Sequence, residues 1–272
     1  MNKVIISLAP VAASETRVEP GEVAEEVIAA ERYGAAMVHL HVRDRTGQLT
    51  DDVTDFDKTI RLIRKGSNLI LQASTGGLSA MDMTQRCAPL VQCPLVEMAS
   101  LNGGSVNLGD AVYANSLPDM LFCAQSAARK LIVPEFEVFE VGMIGNILQL
   151  EPAVTLSRPL LFNTVFGHRG TMPATIDALV AFRQFIPKDA LWGVTHYGRK
   201  GFSFLAAAIG MGADLVRIGF EDSQFISPDA HAENNLQLVE KLASIIRGMD
   251  REVATPDEAR RILNIQPRPQ EL

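Results

Sequence analysis

The chain has 272 residues and a formal net charge of −7. That acidic balance repels phosphate backbones and anionic headgroups, which sets aside a general nucleic-acid or membrane-surface binder. With 47% hydrophobic and 21% charged residues the composition is globular, and no apolar run approaches the roughly 20 residues that span a bilayer.

The first apolar run, VIISLAPVAA, has a single Lys3 before it and Pro10 within it. It predicts a β-strand in KVIISLAP (3–10) rather than an export signal. Three cysteines, Cys87, Cys93 and Cys123, form no CxxC pair, which points to a reduced, cytoplasmic chain. PGEVAEEVIAAERYG follows as a helix, with Pro20 and Glu22 at its start and Gly34 at its end. Further strands are predicted in MVHLHVRD (37–44), NLILQAST (68–75), LVEMASLN (95–102) and LIVPEFEVFE (131–140). PLLFNTVFG (159–167), the helical TIDALVAFRQFIP, LWGVTHYG (191–198) and DLVRIGFED (214–222) continue the alternation. SPDAHAENNLQLVEKLASIIRGM then predicts a last barrel helix, and TPDEARRILNI an extra one.

Strand starts recur about every 23 to 36 residues, the size of one βα unit. Eight such units predict an α/β fold, a TIM (β/α)8 barrel with an extra C-terminal helix, as one domain over residues 1–272. A doubly wound sheet would want a GxGxxG after its first strand, and APVAAS is not one.

A barrel gathers its site at the C-terminal strand ends. Here those ends read HLHVRD, STGG, ASLNGG, PEFEVFE, THYG and VRIGFED. His39 and His41, two apart on a strand, face the same side. Either they bind a metal, or they are neutral core imidazoles with hydrogen-bond partners. A catalytic zinc site takes three protein ligands and keeps a position open. Glu221 is the natural third ligand, with His168 and His196 as alternatives near other strand ends. An HxH barrel strand also occurs in metal-dependent hydrolases, but those want histidines on strands 5 and 6, and strand 5 here has none.

GAAMVHLHVRD, STGG, PEFEVFE and VRIGFED, in that order over nearly the whole chain, resemble the β-keto acid cleavage enzyme family. The resemblance implies Zn2+ held by His39, His41 and Glu221, with acetyl-CoA as co-substrate. The implied reaction is a retro-Claisen cleavage, in which a β-keto acid and acetyl-CoA become acetoacetate and a new acyl-CoA. Asp222 matches the base that takes a proton from the carbon between ketone and carboxylate, and Arg217 the residue that holds it. Ser74 corresponds to a substrate-binding serine, and Gly76 lets the backbone approach a ligand. Ser100 and Glu135 are further substrate-binding candidates, with Glu137 on the face of Glu135. A homotetramer is also implied.

This chain departs from the pattern in its loops. It reads APVAASE where members read APTGA, so that Glu15 takes the part of an early glutamate contacting the distal end of the substrate. It reads GFEDS for GLEDN, and FGHRG brings His168 and Arg169 with no matched role. Two other readings compete: a metal-dependent hydrolase that turns over without acetyl-CoA, and a non-catalytic barrel that binds a metabolite.

Overall fold

The computed structural model describes residues 3–77 and 80–266. Eight strands form the barrel: β1 (Ile5–Leu8), β2 (Met37–Leu40), β3 (Ile70–Ser74), β4 (Met98–Asn102), β5 (Val133–Val138), β6 (Leu161–Phe166), β7 (Leu191–His196) and β8 (Leu215–Ile218). Sequential neighbours pair in parallel, and β1 closes the ring on β8 through Ile5↔Leu215 and Leu8↔Ile218. Each strand falls within the span its sequence predicts. The strands are near-continuous apolar runs because both faces are covered, one by helices and the other by the barrel interior.

Helices begin and end where the local chemistry directs. Pro20–Tyr33 starts on proline, buries Ala24, Val27 and Ala30 against the barrel, and stops at Gly34, whose φ of 118° suits glycine. Ile176–Phe185 is capped by the Thr175 hydroxyl, which accepts from Ala178 N. The segment predicted as the last barrel helix is shorter than expected. Its first residues, 227–231, belong to a two-stranded hairpin, Phe225–Ser227 with Ala230–His231, and the helix runs Asn235–Gly248 from the Asn234 cap. Pro228 and Asp229 occupy the turn of that hairpin, which is turn chemistry rather than helix.

The extra helix, Pro256–Leu263, closes the N-terminal end of the barrel. The first residue of each strand, from Ile5 and Met37 to Leu161 and Leu215, forms one apolar layer that packs with Ala259, Leu263 and Ile265. A charged collar surrounds this plug. Arg260 donates to both oxygens of Glu97 at 2.7 and 3.0 Å, and Arg64 donates to Glu97 Oε2 at 2.5 Å. With that end sealed, the opposite mouth is left for chemistry.

Candidate active site

At the C-terminal strand ends lies a cavity of about 270 Å3. His39 sits within β2, 1% exposed, and His41 lies one residue past the strand's end. Their rings stand edge to face with centroids 5.2 Å apart. Glu221 arrives from the turn after β8. That turn begins at Gly219 (φ 146°), where a Cβ would stand 2.0 Å from Ala9 O, so only glycine lets the turn lie against β1. Glu221 Oε1 is 3.8 Å from His39 Nε2 and 3.4 Å from His41 Nε2.

These residues fit a metal ion. One ligand atom from each lies within 4.8 Å of the others. Tetrahedral ligands about 2.0–2.1 Å from zinc stand roughly 3.3 Å apart, close to the observed spacing. His39 Nε2 is buried without a hydrogen-bond partner among the described residues. Burial, the largest influence, lowers the pKa of His39 to about 3, which leaves the imidazole neutral and able to donate a lone pair. Burial alone would raise Glu221, but His41 and Arg217 together hold it below the usual carboxylate range.

Arg217, on β8, links this trio to the neighbouring acids, with Nη2 3.4 Å from Glu221 Oε1. Its Nε and Nη2 donate to the two oxygens of Asp222 at 3.1 and 2.6 Å, and Nη1 donates to Glu137 Oε1 at 3.1 Å. Burial would lower this guanidinium, yet Asp222, Glu221 and Glu137 raise its pKa above the ordinary value. Asp222 is 3% exposed, and burial raises its carboxyl against the pull of Arg217. Glu137 is pushed up to about 7 by burial, again opposed by Arg217.

The remaining predicted residues divide. Ser74 and Gly76 line the cavity, with Ser74 Oγ accepting from Gly76 N at 3.0 Å. Three residues expected at the substrate do not line this cavity. Glu135 is fully buried below the mouth, with both carboxylate oxygens taken by Gln72 and Asn163, and Glu137 faces the cavity in its place. Ser100 is buried in β4, and Asn102, two residues on, reaches the wall. Glu15 is exposed, accepts from the Thr16 and Arg17 amides, and lines a separate cleft with Arg17, Glu19 and Glu22. Ala13 is the part of that loop that meets the cavity.

Other wall residues were missed in the sequence. A hairpin after β4, Val106–Leu108 with Ala111–Tyr113, supplies Leu108 and Tyr113, and buried Arg86 donates to the Tyr113 hydroxyl. The loop after β6 packs on this hairpin, with Gly109 N donating to Arg169 O at 3.0 Å and Arg169 paired with Asp110. It delivers His168, whose ring stacks on Tyr197 at 3.9 Å between centroids. Burial lowers His168 to about 4, so its imidazole is neutral. His196 is turned onto Phe204 and does not join the metal-competent group. The turn-forming LGDA and the aromatic residues beside it were the available signals.

A barrel sealed at one end, with a metal-competent trio and paired ionisable groups around a cavity at its C-terminal mouth, has the arrangement of a TIM-barrel enzyme site. The family model described as beta-keto acid cleavage enzyme matches residues 3–265. A 3-keto-5-aminohexanoate cleavage enzyme of Fusobacterium nucleatum is 36% identical over 247 residues, covering 90% of this chain and 89% of its own. A 3,5-dioxohexanoate:acetyl-CoA acetone transferase of Paraburkholderia graminis is 28% identical over 300 residues, covering 97% of this chain and 96% of its own. The ternary complex of ObcA with C4-CoA adduct and oxalate matches with a TM-score of 0.78 at 19% identity, over 92% of this chain and 68% of that one. At that identity it supports the fold. The chain belongs to the β-keto acid cleavage enzyme family. The hydrolase reading gains no support, since these relatives are named for cleavage and transfer.

Proposed function

We propose that the protein converts a β-keto acid, R–CO–CH2–COO⁻, and acetyl-CoA into acetoacetate and R–CO–SCoA, with Zn2+ held by His39, His41 and Glu221. The observation that carries this reading is Asp222, gripped on both oxygens by Arg217 and facing the same cavity as the metal-competent trio. When bound, the ion supplies Lewis-acid polarisation of the substrate's ketone, which acidifies the carbon beside it.

The chain's residues do the rest. Ser74 Oγ accepts from Gly76 N, which leaves its own hydroxyl hydrogen for the substrate carboxylate, and Asn102 offers an amide on the same wall. Asp222 takes a proton from the carbon between ketone and carboxylate, and Arg217 fixes its direction. That carbon attacks the acetyl thioester carbonyl and expels CoA thiolate. The thiolate adds to R–CO, the old C–C bond breaks with its electron pair left on carbon, and the Asp222 proton returns to give acetoacetate. The wall also carries Leu108, Tyr113, Phe139, Val165 and the stacked His168 and Tyr197, with Arg43 as a cation among the lining, which favours an uncharged, apolar or aromatic acyl group over an ammonium.

The same reading makes residues 1–272 one catalytic domain, acting as a cytoplasmic homotetramer. The single closed barrel supports the one-domain reading and the three buried free cysteines a reduced compartment, while the homotetramer rests on the family resemblance alone. Acetoacetate formation from alkyl, aryl and amino-substituted β-keto acids tests the function. Turnover should require both acetyl-CoA and metal and be highest for the uncharged substrates. Equal turnover without acetyl-CoA overturns the reaction, and preference for the amino substrate overturns the reading of the wall.

A further inference from the structure

Beneath His39 runs a buried chain of side chains that crosses the barrel interior. Gln72 Oε1 lies 2.6 Å from His39 Nδ1, and Gln72 Nε2 donates to Glu135 Oε2 at 2.9 Å. Asn163 Nδ2 donates to the other oxygen, Glu135 Oε1, at 2.6 Å, while Thr195 Oγ1 donates to Asn163 Oδ1 at 3.2 Å. All five residues are at most 1% exposed, so water does not compete for these bonds.

The directions are not free. Burial raises the Glu135 carboxyl, but the Gln72 and Asn163 amides and the charge of Arg217 oppose that and favour the carboxylate. A carboxylate only accepts, so the two primary amides each turn their NH2 side toward it. That leaves the Gln72 carbonyl pointing at His39 Nδ1. Nδ1 then carries the ring hydrogen, and Nε2 keeps the lone pair. Nε2 is the partnerless buried atom that faces Glu221 at 3.8 Å.

We propose that Glu135, acting through Gln72, is a positioning residue that sets His39 in the tautomer able to bind a divalent cation, and that it does not touch the substrate. This rests on reading the trio as a metal site. Were residue 135 an amide, it would no longer force Gln72 to donate to it. The Gln72 amide could rotate, present NH2 to Nδ1 and drive the hydrogen onto Nε2, where it would point at the ion. Partners that orient a ligating histidine are typically worth about 10–100-fold in metal affinity.

The test is Zn2+ affinity, measured by competition with a chromophoric chelator, in wild type, Glu135→Gln and the double variant Gln72→Glu with Glu135→Gln. It is joined by 15N NMR of the imidazoles in the metal-free wild type. Glu135→Gln should bind Zn2+ about 10–100-fold more weakly. The double variant, which moves the carboxylate directly under Nδ1–H, should recover most of the loss. Metal-free His39 should show an unprotonated Nε2. Unchanged affinity in Glu135→Gln, no recovery in the double variant, or an Nε2–H tautomer in wild type each overturns the proposal. Should either variant fail to fold, the wild-type tautomer still decides. Wild type that binds no Zn2+ yet shows the expected tautomer defeats the metal reading and leaves the orienting chain standing.

Discussion

At Asp222, burial and an ion pair act in opposite directions. Burial raises the carboxyl and Arg217 lowers it, with the net shift upward, so the group is more basic than an ordinary aspartate yet held in place by two hydrogen bonds. That combination suits a base that must meet a carbon acid, where positioned proton transfer is typically worth about 10²–10⁴-fold. Asp222→Asn keeps the side chain's size and leaves His39, His41 and Glu221 in place. It should therefore retain metal, by elemental analysis, while kcat falls about 10²–10⁴-fold with little change in KM. Near-normal kcat in a metal-loaded variant would remove Asp222 from the role.

Among the elements, the strand ends were legible in sequence and depth along a strand was not. MVHLHVRD and VRIGFED carry the metal-competent trio because both segments meet at one mouth. On β4 and β5, however, Ser100 and Asn102, or Glu135 and Glu137, share a face and differ only in level, by about 6.6 Å along the strand. No periodicity separates a wall residue from a floor residue at that spacing. Gln72 was hidden for the same reason, as a polar residue inside NLILQAST whose meaning comes from its pairing in register with His39. Glu15 lies along a separate cleft rather than the cavity wall because it sits on a loop, whose path no strand alternation dictates. The extra helix was visible as TPDEARRILNI, but not its place beneath the barrel. Leu263, 1% exposed in that plug, gives an element-level prediction. Leu263→Ala should cost about 2–5 kcal/mol of unfolding free energy, read by urea denaturation, because the cavity lies among eight strand starts that cannot collapse together. Zn2+ affinity, set at the other end, should be unchanged, and a large loss of it would show that the two ends are coupled.

At the scale of the whole molecule, burial shifts acids and histidines in opposite directions. Burial lowers His196 to about 4, with Arg199 adding to the effect, whereas it pushes Glu137 up to about 7. Their contributions to the pH dependence of folding therefore oppose one another, and a single variant separates them. His196 is neutral in both folded and unfolded states above about pH 6.5. As pH falls from there toward about 4, only the unfolded chain takes the proton, so the histidine withdraws stability. His196→Gln should accordingly gain stability relative to wild type as the pH drops from 7 to 5, measured as paired urea midpoints. A gap between the two proteins that stays constant over that range would contradict a half-buried, depressed imidazole.

The fate of two carbon atoms tests the cleavage reaction most directly. A β-keto acid labelled with 13C at its carboxylate and adjacent methylene is incubated with metal-loaded protein and unlabelled acetyl-CoA. Acetoacetate labelled at its carboxylate and methylene alone is the predicted product, formed in step with R–CO–SCoA. Labelled acetate with no labelled acetoacetate would mean that water, not acetyl-CoA, receives the cleaved fragment, and would contradict the account.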